Sequence, residues 1–309
     1  MKPPVIAIVG ATATGKTALA EAVAEALDGE LVCADSRQVY RELETGTGKP
    51  TPEQRARRPH HLFEALELDR RASAGAWVRA AAETCGAIRE RGRTPVLVGG
   101  SGLYLRALQH GIASEPPHDA ALRARLADEV RSVGVAAMHQ RLQQVDPVIA
   151  ARVAATDTQR VTRALEVWMA SGHPLSWWQR ERPGGALPAE WRTVELTHEP
   201  VRLAERIAAR THDMFEHGLI EETHALLDRG RGEALQALRA VGYDEALELL
   251  RGTIDRGEAE ARTNRRTRQL AKRQRTWFRH QMETVRLDVG EHRADELVAR
   301  ALALVGPRE

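Results

Sequence analysis

Val5-Ile6-Ala7-Ile8-Val9-Gly10-Ala11-Thr12-Ala13-Thr14-Gly15-Lys16-Thr17 is the stretch on which the reading of this chain turns. Val5 to Val9 are apolar and mostly β-branched, the pattern of a buried strand. Gly10, Gly15, Lys16 and Thr17 then fall at the spacing of a phosphate-binding loop, and a helical pattern follows. The glycines let backbone N–H groups face one anion, and the helix N-terminus adds partial positive charge. Lys16 would hold terminal phosphate oxygens as a point charge, and Thr17 would ligate Mg²⁺. A glycine-rich turn that binds nothing is the competing reading, and the strand before with the helix after argues against it. The expected ligand is a diphosphate or triphosphate.

The chain has 309 residues, enough for a large core with either two domains or one domain carrying an insertion. Its 45 Lys and Arg nearly balance 43 Asp and Glu, so local clustering of charge says more than the sum. The two cysteines, Cys33 and Cys85, form no metal or redox motif, which fits a reducing cytosolic setting. No apolar run reaches the length of a membrane span, and no targeting segment is expected before the first strand.

Glu30 to Ala34 reads as a second strand with Asp35-Ser36-Arg37-Gln38 at its end. Ligands of open α/β sheets sit beyond the carboxyl ends of strands, so Asp35 points at the same crevice as the phosphate loop. An aspartate that merely caps a helix is the alternative. His60-His61 lies in a basic run and is expected in a structural or substrate-facing loop, since no third ligand sits at metal spacing. Thr94 to Val98 is expected as the third strand, running into Gly99-Gly100-Ser101-Gly102. Small residues there suit close approach of backbone to a ligand, or a tight strand-to-helix turn. An ATPase would usually place a Mg²⁺-holding Asp at such a strand end. This chain offers glycines and a serine, which weakens the ATPase reading.

Composition shifts at Pro116-Pro117, and residues 118–171 read as helical with breaks at Gly134 and Asp146-Pro147. Trp177, Trp178 and Trp191 fall in a Gly/Pro-rich stretch. They are expected to pack the insertion onto the core, with base stacking as the alternative. Beyond Pro200 the pattern is long helices, ending in a run with Arg262, Arg265, Arg266, Arg268, Lys272, Arg273, Arg275 and Arg279 and few acidic neighbours. Such a face suits a phosphate backbone. The expected fold class is α/β, a P-loop NTPase-like parallel sheet flanked by helices, with a mainly helical insertion. The core is expected over 1–115 and 191–309, and the insertion over 116–190.

The series 10–17, Ala-Asp-Ser-Arg-Gln-Val-Tyr (34–40), Gly-Thr-Gly-Lys-Pro-Thr (46–51) and Pro-His-His-Leu (59–62) opens a longer pattern. It continues with Val-Gly-Gly-Ser-Gly-Leu-Tyr-Leu (98–105), Gln-Arg-Val-Thr-Arg-Ala-Leu-Glu-Val (159–167), Arg-Ala-Val-Gly-Tyr (239–243) and Thr-Arg-Gln-Leu-Ala-Lys-Arg-Gln (267–274). In this order the motifs resemble the tRNA dimethylallyltransferases, to about residue 280. The resemblance implies transfer of a dimethylallyl group from dimethylallyl diphosphate to N6 of the adenosine on the 3′ side of a tRNA anticodon. It implies that Gly10, Ala11, Thr12, Ala13, Thr14, Gly15, Lys16 and Thr17, with Arg210, hold the diphosphate, and that Mg²⁺ at Thr17 assists. Asp35 would be the catalytic base and Ser101 would hydrogen-bond at the reacting end. Asp35, Ser36, Arg37, Gln38 and Ser101 would bind the target base and its neighbours. Arg123, Gln159, Arg160, Val161, Thr162, Arg163, Arg239, Ala240, Val241, Gly242, Tyr243 and Asp244 match tRNA-contact positions, the insertion gripping the anticodon stem-loop. A cytoplasmic monomer with no membrane partner is expected.

Five positions depart from the family's commoner pattern: Ala11 for Pro, Thr14 for Ser, Gly48 for Ala, Ser101 for Thr, and Pro200 for an arginine, which removes one charge. The anion cradle and the hydroxyl survive these changes. A small-molecule kinase, a non-catalytic nucleotide-binding regulator and an enzyme that prenylates free adenosine phosphates remain as alternatives. The Asp35 motif, the insertion and the basic C-terminal helix argue for tRNA.

Overall fold

The computed structural model describes residues 2–113, 116, 119–180, 183–290 and 292–306. It divides into two compact units, one of residues 1–109 with 187–309 and the other of 110–186. The composition shift at Pro116-Pro117 touches Glu115 and Pro117, which lie outside the described residues, as does His118.

In chain order the first unit begins with β1 (Val5–Gly10), α1 (Lys16–Ala26), β2 (Gly29–Cys33), α2 (Pro52–Arg57), β3 (His60–His61), α3 (Ala74–Glu90), β4 (Thr94–Gly99) and α4 (Gly102–His110). The second unit holds β5 (Ile112–Ala113), α5 (Ala120–Val145), α6 (Pro147–Ala150), α7 (Thr158–Ser171), α8 (Leu175–Arg180) and β6 (Pro183–Gly184). The chain then returns to the first unit with β7 (Trp191–Thr197), α9 (Pro200–Glu216), α10 (Leu219–Asp228), α11 (Gly232–Leu238), α12 (Tyr243–Leu250), α13 (Arg256–Gln281), β8 (Val285–Asp288) and α14 (Ala294–Val305).

Six strands of the first unit form a parallel sheet in the order β3-β2-β4-β1-β7-β8. A parallel sheet covered on both faces demands continuous apolar strands rather than alternating ones. Val5 to Val9 meet that demand with no exposed surface. The chain steps from β1 past the slot of β4 to β2, fills that slot, and only later crosses to β7 on the other side. Strand order therefore reverses between β1 and β4, and the crevice opens beyond Gly10 and Gly99, the ends of those strands.

Two strands of this sheet escape the sequence reading because they are short, as do β5 and β6 of the second unit. His60–His61 is an edge strand paired to Leu31 and Val32, not a loop. His61 Nε2 lies 2.7 Å from Glu30 Oε2, and His60 packs edge-on against Phe63. Glu30 is buried within β2, which alone would raise its carboxyl. Hydrogen bonds from His61 and Arg91 outweigh that burial and hold it below the usual range. Thr94–Gly99 is consequently the fourth strand of the chain. β8 closes the opposite edge with only Leu287 buried, so its pattern looks like a loop.

The second unit is built on Leu126, Met138, Leu142, Ile149, Val161, Leu165 and Val167. Gly134, at φ 81, breaks α5, and Asp146 caps α6 through Ile149 N–H while also accepting from Ser176 N–H. Trp177 and Trp178 belong to α8 rather than to a loop. Trp177 stacks on His173, and Trp178 donates to Ser171 Oγ. Among the described residues no helix is long and apolar enough to cross a membrane.

Backbone approach fixes the sheet near the crevice. A Cβ on Gly99 would collide with the carbonyl of Ala34, which accepts from Ser101 N–H at 3.1 Å. Gly99→Ala should lower stability by about 1–3 kcal/mol through overpacking, read as a fall in melting temperature. An unchanged melting curve would show that the β4 end has room to part from Ala34.

Candidate active site

The phosphate loop leaves the sheet at Gly10 (φ 140), passes through Ala13 (φ 64) and enters α1 at Gly15 (φ 90). Glycine tolerates such φ values freely; Ala13 is the exception and needs support. Arg206 Nε supplies it by donating to Ala13 O at 2.9 Å. Behind the loop, Ala11 packs against Leu203 and Ile207 of α9 and Ala271 of α13, with Ala13 at the edge of the cluster. Thr14, also buried, donates its hydroxyl to Ala11 O at 2.8 Å. Ala11 and Thr14 therefore shape the loop with their side chains, which leaves the backbone to face a ligand.

Thr12, Ala13, Gly15, Lys16 and Thr17 line a cavity of about 330 Å³, together with Asp35, Gln38, Thr47, Gly48, Lys49, Arg210 and Gln274. Lys16 Nζ donates to Ala11 O at 2.6 Å. Desolvation pushes the Lys16 ammonium down to about 8; the Asp35 carboxylate opposes that and the Arg210 charge adds to it. Burial also lowers Arg210, with Asp35 again opposing. Residues far apart in the chain thus put three cations, Lys16, Lys49 and Arg210, and the Asp35 carboxylate on one cavity. Arg210 donates to Thr47 O at 3.1 Å and lies 3.4 Å from Thr12 Oγ1.

Asp35 follows β2 and accepts from Arg37 N–H at 2.8 Å, so one carboxylate oxygen holds its own turn. Ser101 Oγ accepts from Ser36 N–H at 2.9 Å, tying the glycine turn after β4 to the Asp35 turn. Gln38 Nε2 donates to Thr47 O and Gly48 O, both at 3.1 Å. Asp35 and the neighbouring Ser36, Arg37, Gln38 and Ser101 are thereby assembled beside the loop.

The segment from Glu44 to Lys49 that anchors Gln38 and Arg210 is itself held from afar. Glu222 accepts from Glu44 N–H and Thr45 N–H, at 2.9 and 2.8 Å. Tyr243 accepts from Gly46 N–H at 3.1 Å and donates to Glu222 at 2.5 Å. Lys49, buried, donates to Tyr40 O at 2.8 Å, Arg41 O at 3.0 Å and Glu44 at 3.1 Å.

The positions expected to contact RNA differ in exposure. Gly242 is buried, and the side chains of Tyr243, Ala240 and Val161 pack inside the protein. Tyr243 serves the Gly46 segment, and Val161 the core of the second unit. Arg239 is exposed, Asp244 pairs with Arg266 at 2.8 Å, and Val241 is half-buried. Burial raises the Asp244 carboxyl, and Arg266 opposes the rise. In the second unit Gln159 and Arg160 are exposed, while Thr162 donates to Thr158 O. Arg123 and Arg163 pair with the buried Glu166 at 3.6 and 3.1 Å.

The basic run of α13 has more acidic partners than its own sequence suggests. Arg262 pairs with Glu248 and Glu258, and Arg266 with Asp244 and Glu245, drawing carboxylates from α12. Among the described residues no ion pair involves Arg268, Lys272, Arg273, Arg275 or Arg279. The glycine turn packs against helix α13. A Cβ on Gly100 would meet the Gln274 amide, and one on Gly102 the Trp277 ring. Helix α13 fills that side.

Sequence reasoning missed Gln274, Arg206, Lys49 and Glu222. Gln274 and Lys49 lie inside motifs singled out for their order, without a role. Nothing local marks Glu222, whose backbone partners Glu44 and Thr45 are 178 and 177 residues away.

Among the described residues no group of three or more His, Cys, Asp or Glu side chains is placed to hold a metal. The cavity offers the Thr17 hydroxyl and the Asp35 carboxylate. So sparse an oxygen set fits Mg²⁺, which keeps its waters and is bound largely through substrate phosphates.

A family model described as IPP transferase matches residues 38–281, and one described as Isopentenyl transferase matches residues 3–66. The chain is 48% identical over 289 residues to a tRNA dimethylallyltransferase of Halorhodospira halophila, covering 93% of each. Among solved structures it is similar to a tRNA isopentenylpyrophosphate transferase from Bacillus halodurans, with TM-score 0.69, 35% identity, and 97% and 94% of the two chains covered. A eukaryotic dimethylallyltransferase acting on tRNA superposes with TM-score 0.78 at 26% identity, over 94% of this chain and 74% of that one.

The lowered Lys16 gives a pH test. Diphosphate is held by the ammonium form, so its binding is favoured below the free-protein value and lost above it. Affinity for inorganic diphosphate, by calorimetry and relative to Lys16→Met, should fall by up to about tenfold per pH unit above about 8. A difference profile that stays flat well above that pH would contradict the assignment of Lys16 to the anion.

Proposed function

The chain belongs to the IPP transferase family, and from that premise we propose that it transfers a dimethylallyl group from dimethylallyl diphosphate to tRNA. The acceptor is N6 of the adenosine adjacent to the anticodon on its 3′ side, and diphosphate is released. In this reading residues 1–115 and 191–309 form the catalytic core and 116–190 an insertion that grips the anticodon stem-loop. The protein works as a cytosolic monomer, its two cysteines buried and free. The single observation that carries the reading is the cavity shared by the phosphate loop, Arg210 and Asp35.

The reaction breaks the bond from the allylic carbon to the diphosphate oxygen and forms one from that carbon to N6. Charge therefore develops on diphosphate, where loop N–H groups, the α1 N-terminus, Lys16 and Arg210 face it. Mg²⁺, held at Thr17 when bound, supplies further positive charge on the leaving oxygens. N6 is a weak nucleophile whose proton becomes acidic as it is alkylated, and Asp35 is the carboxylate available to take it. Ser101 holds the turn that presents Asp35. The adenine must leave its stack to reach the cavity. Ser36, Arg37 and Gln38 contact it and its neighbours, and exposed Arg160 and Arg239 reach the RNA backbone.

A kinase reading is weaker because β4 ends in Gly99-Gly100-Ser101, with no carboxylate there to share Mg²⁺.

Incubating the chain with Mg²⁺, radiolabelled dimethylallyl diphosphate and unmodified anticodon stem-loop RNA should put label into the RNA. Asp35→Asn, which keeps the volume and removes the base, should reduce the transfer rate by roughly 10²–10⁴-fold. Label absent from RNA, with the γ-phosphate of ATP moved to a small molecule instead, would overturn the proposal in favour of a kinase.

A further inference from the structure

Helix α13 touches the site through one face. Ala271, Gln274 and Trp277 follow at three-residue spacing, which puts them on neighbouring turns of the same side. Ala271 is buried against Ala11 of the phosphate loop. Gln274 bridges two backbones, its Oε1 accepting from Thr12 N–H at 2.8 Å and its Nε2 donating to Gly100 O at 3.1 Å. Trp277 lies against Gly102. Gln274 uses both ends of one rigid amide, and only this orientation satisfies a donor on one side and an acceptor on the other.

The two segments it joins have separate duties. Thr12 belongs to the anion cradle. Gly100 leads into Ser101, which holds the Asp35–Ser36 turn. The spacing between the leaving-group side and the proton-accepting side is thus spanned by one side chain of a helix whose other faces expose Arg268, Lys272, Arg273 and Arg279. No ion pair neutralises those four among the described residues, and Glu245 and Asp244 already occupy Arg266.

We propose that Gln274 is a positioning residue that couples RNA docking on α13 to the geometry of the diphosphate cradle. This rests on the transfer reaction proposed above. RNA phosphates drawn to the exposed cations load α13, and the Gln274 bridge passes that load to Thr12 and Gly100 together. Binding of RNA and of diphosphate then strengthen each other, as linkage requires of any such coupling.

The test measures the dissociation constant of inorganic diphosphate with Mg²⁺, by calorimetry, with and without saturating anticodon stem-loop RNA. Wild type should bind diphosphate at least about fivefold more tightly when RNA is present. Gln274→Ala should bring that ratio to one while leaving RNA affinity within about twofold, and should lower the transfer rate by about 100-fold through misplacement. Gln274→Glu keeps the size and the Thr12 acceptor but loses the donor to Gly100, so it decides the matter should the alanine variant not fold. It too should lose the ratio. A wild-type ratio of one, or a ratio retained in the variants, overturns the role of Gln274. Failure of the wild-type chain to label RNA at all would instead overturn the underlying reaction.

Discussion

The phosphate loop must hold a non-glycine residue in left-handed backbone at the end of a buried strand, and the rest of the site depends on how that is done. Ala13 at φ 64 costs about 1–2 kcal/mol in its steric clash. Arg206 on its carbonyl and the apolar cluster of Ala11, Leu203, Ile207 and Ala271 offset the cost. The loop is therefore a joint between β1, α9 and α13, and not a free glycine turn. Because α9 brings Arg206 to support the loop, Arg210 one turn later comes to the cavity. Because α13 supplies Ala271, Gln274 reaches Thr12.

A second layer of support lies behind the first. Arg210 and Gln38 both donate to Thr47 O, so the segment from Glu44 to Lys49 sets where each side chain stands. That segment has little regular structure, and its N–H groups would be orphaned without partners. Glu222 and Tyr243 satisfy three of them from α10 and α12. The buried Lys49 ammonium, satisfied by Tyr40 O, Arg41 O and Glu44, fixes the other end. Tyr243, at a position expected near RNA, thus supports the wall of the cavity.

The parallel core was readable from sequence because continuous β-branched runs, glycine stops and alanine-rich helices all carry strong local signals. The loop, the Asp35 turn and the Gly99–Gly102 turn were readable as strand ends for the same reason. What escaped depended on contacts distant in the chain. His60–His61 and Val285–Asp288 are too short for periodicity and become strands only through pairing with β2 and β7. Glu222 carries no motif. The glycines at 100 and 102 look ligand-directed in sequence, yet Gln274 and Trp277 stand where their side chains would be. Net charge misled in a similar way, since carboxylates from α12 cover part of a helix that looks uniformly basic.

The central claim is that one cavity holds the prenyl diphosphate on its phosphate loop and an adenine edge at Asp35. A crystal structure of the chain with a non-transferable dimethylallyl thiodiphosphate, Mg²⁺ and an anticodon stem-loop RNA tests it most directly. The account predicts diphosphate oxygens against Lys16, Thr17 and Arg210, with the N6 amine of an unstacked adenine within hydrogen-bond distance of the Asp35 carboxylate. A diphosphate bound away from residues 10–17, or an adenine seated away from Asp35, would contradict it.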